Sequence, residues 1–279
     1  MKDGVLRDPR ACNYSATALL CPSAAGADES SCLTPGEANA IDRIWDGARS
    51  EKGELLWYGI PRGASLDVLA GETLWDIPST QAKYWVYLDP DWDYRTLNYS
   101  NWLAFNDKTV LTMEPGPTPT DDAASIAKFR DAGHKLLMWH GWADQIIMPQ
   151  GSIDYYNQVT KTVSGGELSE TQRWYRFFMA PGVAHCGMKW NPYFAALVKW
   201  VEEGVAPETI LHQASPTTTR PLCPHPKVAV YKGSGSTDDA ANFECGDNLV
   251  GRDTEDCDER VNMRLFGQPF LPTHNTSRP

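Results

Sequence analysis

Hydrophobic positions in the second half of the chain alternate between helix-like and strand-like segments. Three segments place apolar side chains at helical spacing: 121–133, 149–163 and 191–204. Two shorter runs have apolar centres and predict buried strands: 134–141 and 173–182. Strand, loop and helix in repeated order predict an α/β fold class, with a parallel sheet and helices over its faces.

The first half of the chain has a less regular pattern, rich in aromatic residues and turns. A helix is predicted over residues 34–48, where Thr34 and Glu37 have the spacing of a capping box. The aromatic runs at 55–60 and 83–88 predict short strands or irregular packed segments.

A proline-rich joint at residues 113–120 separates these two patterns. The sequence therefore predicts one domain over residues 1–118, a second over residues 119–254, and a polar tail at 255–279. Within the second domain, residues 205–254 are predicted to be loops, and the tail is expected to be loosely held.

Composition narrows the functional class. The 279 residues carry a formal net charge of −11, which argues against nucleic acid and anionic membranes as partners, and no apolar run is long enough to span a bilayer. Seven cysteines and three glycosylation triplets, beginning at Asn13, Asn98 and Asn275, favour a secreted, extracellular protein. Residues 1–10 have no apolar signal segment, so we expect the true N-terminus to be missing.

Two polar residues follow successive predicted strands. Asp144 comes after the run at 134–141, and His185 comes after the run at 173–182. Carboxyl ends of parallel strands meet at one edge of a sheet, and Asp before His is the chain order of the α/β-hydrolases. The Asp would fix the tautomer of the His, and the His would act as base and then acid. Taken alone, these residues leave open the alternative that each has an unrelated structural role.

The serine that such a pair would serve is not evident in this sequence. A nucleophile elbow has the form G-x-S-x-G between a strand and a helix. Ser65 lies in GASLD, which lacks the second glycine, and Ser234 and Ser236 lie in KGSGST without a strand-to-helix context. We therefore predict that the chain is inactive alone. The other histidines, His140 among them, are predicted to be structural or exposed. The closeness of His140 to Asp144 in sequence leaves open that it shapes the Asp144 loop, although nothing demands it.

Three segments carry specific motifs: HKLLMWHGWADQIIMPQGSIDYYNQV, MAPGVAHCGM and RPLCPHPKVAVYKGSGSTDDAANFEC. In these the chain resembles the tannase and feruloyl esterase family, which also includes mono(2-hydroxyethyl) terephthalate hydrolases. The resemblance extends from the opening DGVLRDPR to about Cys245. It implies the C-terminal part of an α/β-hydrolase core with a large lid domain, and hydrolysis of feruloyl, galloyl or related aromatic esters.

The resemblance also implies roles for single residues. Asp144 and His185 match the triad Asp and His of the family. Cys186 matches a cysteine bonded to the residue before the nucleophilic serine, and that partner is absent here. Two further disulfides are implied, Cys21 with Cys32 and Cys223 with Cys245.

A structural calcium site is a further implication of the resemblance. Asp3 matches the last carboxylate of the family's calcium loop, and Val5 matches the position that supplies a backbone carbonyl. Calcium takes about six to eight oxygen ligands, so this remnant is expected to bind it poorly. Cys12 would pair with a cysteine ahead of that loop, and Cys257 lies in the tail that the resemblance does not cover.

Two hypotheses follow. In the first, the chain is an incomplete esterase, from a truncated gene or a processed enzyme, and a missing N-terminal half supplies the serine, the signal peptide and the remaining calcium ligands. In the second, it is a non-catalytic secreted protein that binds phenolic esters. Two expectations argue against the second: Asp144 and His185 persist, and a missing sheet neighbour would expose the edge of a central strand, which favours aggregation.

Overall fold

The computed structural model describes residues 5–22, 31–67, 76–113, 123–188 and 191–247. These residues form two compact units. The first unit contains residues 13–60 and 65–113, and the second contains residues 5–12, 61–64 and 123–247, within the described ranges. Most of the proline-rich joint and the whole predicted tail lie outside the described residues, so the predicted domain boundaries stay predictions.

The first unit begins its regular structure with helix α1, Pro35–Asp46. The predicted capping box is confirmed, because Thr34 Oγ1 accepts a hydrogen bond from Glu37 N at 3.3 Å and Glu37 Oε2 accepts one from Thr34 N at 2.8 Å. Strand β1 (Ala48–Arg49) then pairs antiparallel with β2 (Leu55–Trp57), within the run predicted to contain a strand or packed segment.

The second aromatic run is helical, so the prediction of a strand or irregular segment at 83–88 was wrong. Helix α2 (Asp76–Gln81) continues into a π-helix over Ala82–Tyr87. Ala82 and Val86, four residues apart, are buried, whereas Tyr84 and Trp85 between them are exposed. Burial therefore follows a helical period, which a run of adjacent aromatic residues conceals.

Helix α3, Trp102–Met113, completes the first unit. The rings of Tyr87, Trp92 and Phe105 stack with centroids 5.2 to 6.1 Å apart, which packs the π-helix against α3.

The second unit contains the predicted parallel pair. Strands β3 (Leu136–Gly141) and β4 (Tyr175–Ala180) run parallel and in register, so that Leu136 lies opposite Tyr175 and Gly141 opposite Ala180. Three helices accompany them, as predicted, although the first is shorter than expected. They are α4 (Ala127–Asp131), α5 (Pro149–Val163) and α7 (Asn191–Glu203), with the short α6 (Leu168–Thr171) before β4.

Both faces of this strand pair are covered by apolar side chains. On one face, Met138 and Phe177 pack with Tyr156 and Val159 of α5. On the other face, Phe178 and Ala180 pack with α7 and the strands that follow it. Strands buried on both sides read as continuous apolar runs, and that is why they could be found in the sequence.

Residues 205–247 contain four strands, so the prediction of loops there was wrong. Two antiparallel hairpins form: β5 (Ile210–Ser215) with β6 (Thr218–Leu222), and β7 (Val228–Tyr231) with β8 (Phe243–Gly246). The strands are short, β6 contains Pro221, and the polar His212 occupies a buried position. The described residues thus have a mixed α/β architecture, and none of their helices has the length and apolar character to cross a membrane.

Candidate active site

The ends of β3 and β4 carry two loops that are bonded to each other. Trp142 N donates to Ala180 O at 2.8 Å, and Ala143 N donates to Val183 O at 2.9 Å. A methyl group on Gly141 would lie 2.1 Å from Val183 O, closer than any contact of a real Cβ atom. Only glycine therefore permits the approach that joins the two loops.

This approach brings Asp144 and His185 together. His185 Nδ1 lies 3.0 Å from Asp144 Oδ2, and the backbone N–H of His185 donates to Gln145 Oε1 at 3.2 Å. Asp144 is 6% exposed, whereas the side chain of His185 is 36% exposed. The arrangement is a buried carboxylate that orients an imidazole whose outer part remains open to a reacting group.

The other carboxylate oxygen of Asp144 is held by its own loop. Oδ1 accepts hydrogen bonds from the backbone N–H groups of Ile146 and Ile147, each at 2.9 Å. Burial acts to raise the pKa of Asp144, but the N–H groups of Ile147 and Ile146 and the hydrogen bond and charge of His185 outweigh it, so the pKa is lowered. The carboxylate is therefore ionised at neutral pH.

A second histidine lies on the same carboxylate, although the sequence did not require it there. His140 Nε2 lies 3.2 Å from Asp144 Oδ2 and 3.1 Å from Ile147 O, and its Nδ1 lies 2.7 Å from Ser152 Oγ. The available signal was the alternation along β3, which places His140 on the same face as Met138, towards α5.

The segment near the start of the chain supports the same loop. Asp8 is buried and forms an ion pair with Arg10 at 2.8 Å, and the Arg10 guanidinium lies 5.2 Å from the centre of the Trp142 ring. Burial lowers the pKa of nearby His225 to about 3, with Arg10 acting in the same direction and Asp8 opposing it. These groups pack beneath the first residue of the Asp144 loop.

The cysteines form the two disulfides within this chain that the resemblance implies. Cys21 is bonded to Cys32 in the first unit, and Cys223 is bonded to Cys245 in the second. Two free thiols are present among the described residues, Cys12 and the exposed Cys186. Cys257 lies outside the described residues.

The calcium expectation depends on Asp3, which also lies outside the described residues, and on Val5. The side chain of Val5 packs beside Gly182, the turn that follows β4, about 3.0 Å from where a methyl group would stand. In the part of the chain that the structure describes, no three His, Cys, Asp or Glu side chains are grouped as metal ligands. The calcium site therefore stays a prediction.

Comparison with known proteins identifies a family. Residues 1–246 match the family model described as "Tannase and feruloyl esterase". A "Probable feruloyl esterase" of Arthroderma benhamiae is 34% identical over 269 residues, which cover 88% of this chain and 49% of the relative. "Probable feruloyl esterase B" of Emericella nidulans is 31% identical over 274 residues, which cover 88% of this chain and 50% of that relative. The chain spans about half the length of the curated relatives it matches.

Solved structures give the same result. An esterase from Aspergillus oryzae superposes with a TM-score of 0.77 at 28% identity, covering 88% of this chain and 53% of that one. Feruloyl esterase B from Aspergillus oryzae superposes with a TM-score of 0.76 at 26% identity, covering 88% and 52%.

Proposed function

Because this chain belongs to the tannase and feruloyl esterase family, we propose that it supplies the Asp and His of a Ser-His-Asp carboxylic ester hydrolase. The observation that carries the proposal is the 3.0 Å contact between His185 Nδ1 and Asp144 Oδ2 at the ends of two adjacent parallel strands. The substrate class that we propose is feruloyl, galloyl or related aromatic esters.

In this mechanism His185 transfers a proton, and Asp144 holds the imidazole of His185 in position. Asp144 Oδ2 accepts the Nδ1–H of His185, which leaves Nε2 as the base. Nε2 takes the proton of the serine hydroxyl as its oxygen attacks the ester carbonyl, and then gives the proton to the departing alcohol. Water repeats the sequence to release the acid, while the Asp144 carboxylate stabilises the imidazolium in both steps.

The serine in this proposal comes from outside these 279 residues, since no serine here has the elbow context. The α/β-hydrolase core and lid domain belong to the same proposal, as do a disulfide from Cys186 to the elbow and a calcium loop that includes Asp3 and Val5. Two disulfides favour an oxidising compartment, and we propose an extracellular location on that basis.

The test uses methyl ferulate and methyl gallate as substrates. The 279-residue chain alone is expected to hydrolyse neither ester. In a complete enzyme that joins this chain to a serine-bearing half, Asp144→Asn and His185→Ala are each expected to lower kcat by about 10⁴-fold. The matched control is Asp131→Asn, because Asp131 is an exposed carboxylate of α4 whose side chain pairs with Arg130.

Two results would overturn the proposal. One is near-full activity of the complete enzyme with His185→Ala. The other is ester hydrolysis by the 279-residue chain at a rate that His185→Ala does not change. Tight binding of both esters by the chain, with no turnover in any complete form, would favour the non-catalytic alternative.

A further inference from the structure

We propose that His140 is a positioning residue, which holds the Asp144 carboxylate in the place where His185 reaches it, and that Ser152 orients His140 in turn. The inference rests on the proposed function for its catalytic consequence. The positioning itself rests only on the contacts among these four side chains and on the contact of His140 with the backbone oxygen of Ile147.

The partners of His140 determine which of its nitrogens carries the proton. Nε2 lies 3.1 Å from Ile147 O, a carbonyl oxygen that can only accept a hydrogen bond. Nε2 must therefore be protonated, and the same N–H is shared with Asp144 Oδ2 at 3.2 Å. In the neutral ring Nδ1 is then an acceptor, and Ser152 Oγ, at 2.7 Å, donates to it.

The hydrogen bonds around Asp144 are complete once His140 is counted. An ionised carboxylate has about four lone-pair positions. The backbone N–H groups of Ile146 and Ile147 occupy Oδ1, and His140 and His185 occupy Oδ2. Rotation of the carboxylate would break contacts on both oxygens, so the donor from His140 fixes Oδ2 at the position from which it bonds His185.

The position of Oδ2 determines the bond to His185, because the same oxygen accepts from both imidazoles. Without His140, the remaining bond is expected to change in strength and the carboxylate to lose one fixed direction. A histidine that only filled space beside Met138 and α5 would have no such effect on His185.

The first experiment is proton NMR of the imidazole N–H that His185 Nδ1 donates to Asp144, in the full 279-residue chain. His140→Phe removes the donor and keeps a ring, His140→Gln keeps an N–H donor, and Ser152→Ala removes only the group that orients the ring. We expect His140→Phe to shift this resonance or abolish it by exchange. His140→Gln is expected to restore it, and Ser152→Ala to shift it in the same direction by a smaller amount.

The control is His134→Phe, at an exposed histidine just before β3, which is expected to leave the resonance in place. An unchanged resonance in His140→Phe would overturn the proposal. If that variant does not fold, as judged by near-ultraviolet circular dichroism, Ser152→Ala decides instead. A resonance that is identical to wild type in Ser152→Ala would then count against the proposal.

The second experiment is kinetic and uses the complete enzyme. His140→Phe is expected to lower kcat about tenfold, the cost of one hydrogen bond in the transition state, with KM for methyl ferulate within about twofold. His140→Gln is expected to recover most of the loss. An unchanged kcat in folded His140→Phe would refute the catalytic consequence. If the wild-type complete enzyme hydrolyses no ester, the proposed function fails, and the NMR result still decides whether His140 positions Asp144.

Discussion

Replacement of Gly141 by alanine tests the contact that joins the Asp144 and His185 loops. The φ angle of Gly141 is not positive, so the substitution alone would stabilise the chain by about 0.4–1 kcal/mol through the unfolded state. The structure predicts the opposite sign, because the new methyl group would lie 2.1 Å from Val183 O and 3.1 Å from Val183 Cβ.

The loss of stability can be estimated from the separation of the two loops that the new methyl group requires. Relief of the overlap requires about 1 Å of separation between the loops, which breaks the bonds from Trp142 N to Ala180 O and from Ala143 N to Val183 O. Each hydrogen bond contributes about 1 kcal/mol, and forcing a methyl group into a packed site costs about 1–3 kcal/mol. After subtraction of the opposing gain of about 0.4–1 kcal/mol from the unfolded state, we expect Gly141→Ala to lower the free energy of unfolding by about 2–4.6 kcal/mol.

Equilibrium urea unfolding, with the slope fitted for each variant, measures this change. Gly133→Ala in the same unit is the matched control. Gly133 has a φ of 80° and no atom within 4 Å of its added methyl group, so it carries only the conformational cost of about 1–2 kcal/mol. The steric reasoning is refuted if Gly141→Ala destabilises the chain no more than Gly133→Ala.

Two further predictions concern the same unit. Since burial lowers the pKa of His225 to about 3, its neutral form belongs to the folded state. Its contribution to stability is therefore present above about pH 6.5 and is lost as the pH falls towards 3, at up to about 1.4 kcal/mol per pH unit. Between pH 6.5 and 4.5, the urea midpoint should change less steeply with pH in His225→Phe than in the wild type, whereas His134→Phe should match the wild type. An equal dependence on pH in all three proteins would contradict this prediction. Replacing both Cys223 and Cys245 by alanine should cost about 3 kcal/mol of unfolding free energy from a loop with a sequence separation of 22, and an unchanged urea midpoint would show that the bridge does not constrain the unfolded chain.

The elements that sequence reasoning found share one physical property. The strands at 136–141 and 175–180 are covered on both faces, so their apolar runs are continuous, and α5 and α7 show one apolar face each. The hairpins after residue 205 lack both signals. They are short strands with mixed sequences, such as ILHQAS, in which packing with distant residues decides the conformation.

The candidate site divides in the same way. Asp144 and His185 could be proposed because chain order and strand ends are visible in a sequence. The contacts of His140 could not be predicted, because its partners Ser152 and Ile147 meet it only when α5 folds back over β3. The support of Trp142 by Arg10 is likewise a contact between residues 132 positions apart.

The in-register pairing of β3 with β4 has a consequence for which length changes the chain can accept. Asp144 follows its strand by three residues and His185 by five, and the two side chains meet through a single 3.0 Å contact. One inserted residue adds about 3.3 Å of extended chain, so a change of length between 142 and 144 or between 181 and 185 would separate the pair. The connection at 164–167, between α5 and α6, is mostly exposed and contributes no residue to this contact, so it is expected to absorb insertions. A library of random insertions should therefore show two short intolerant stretches on either side of a permissive one, a pattern set by strand register rather than by burial.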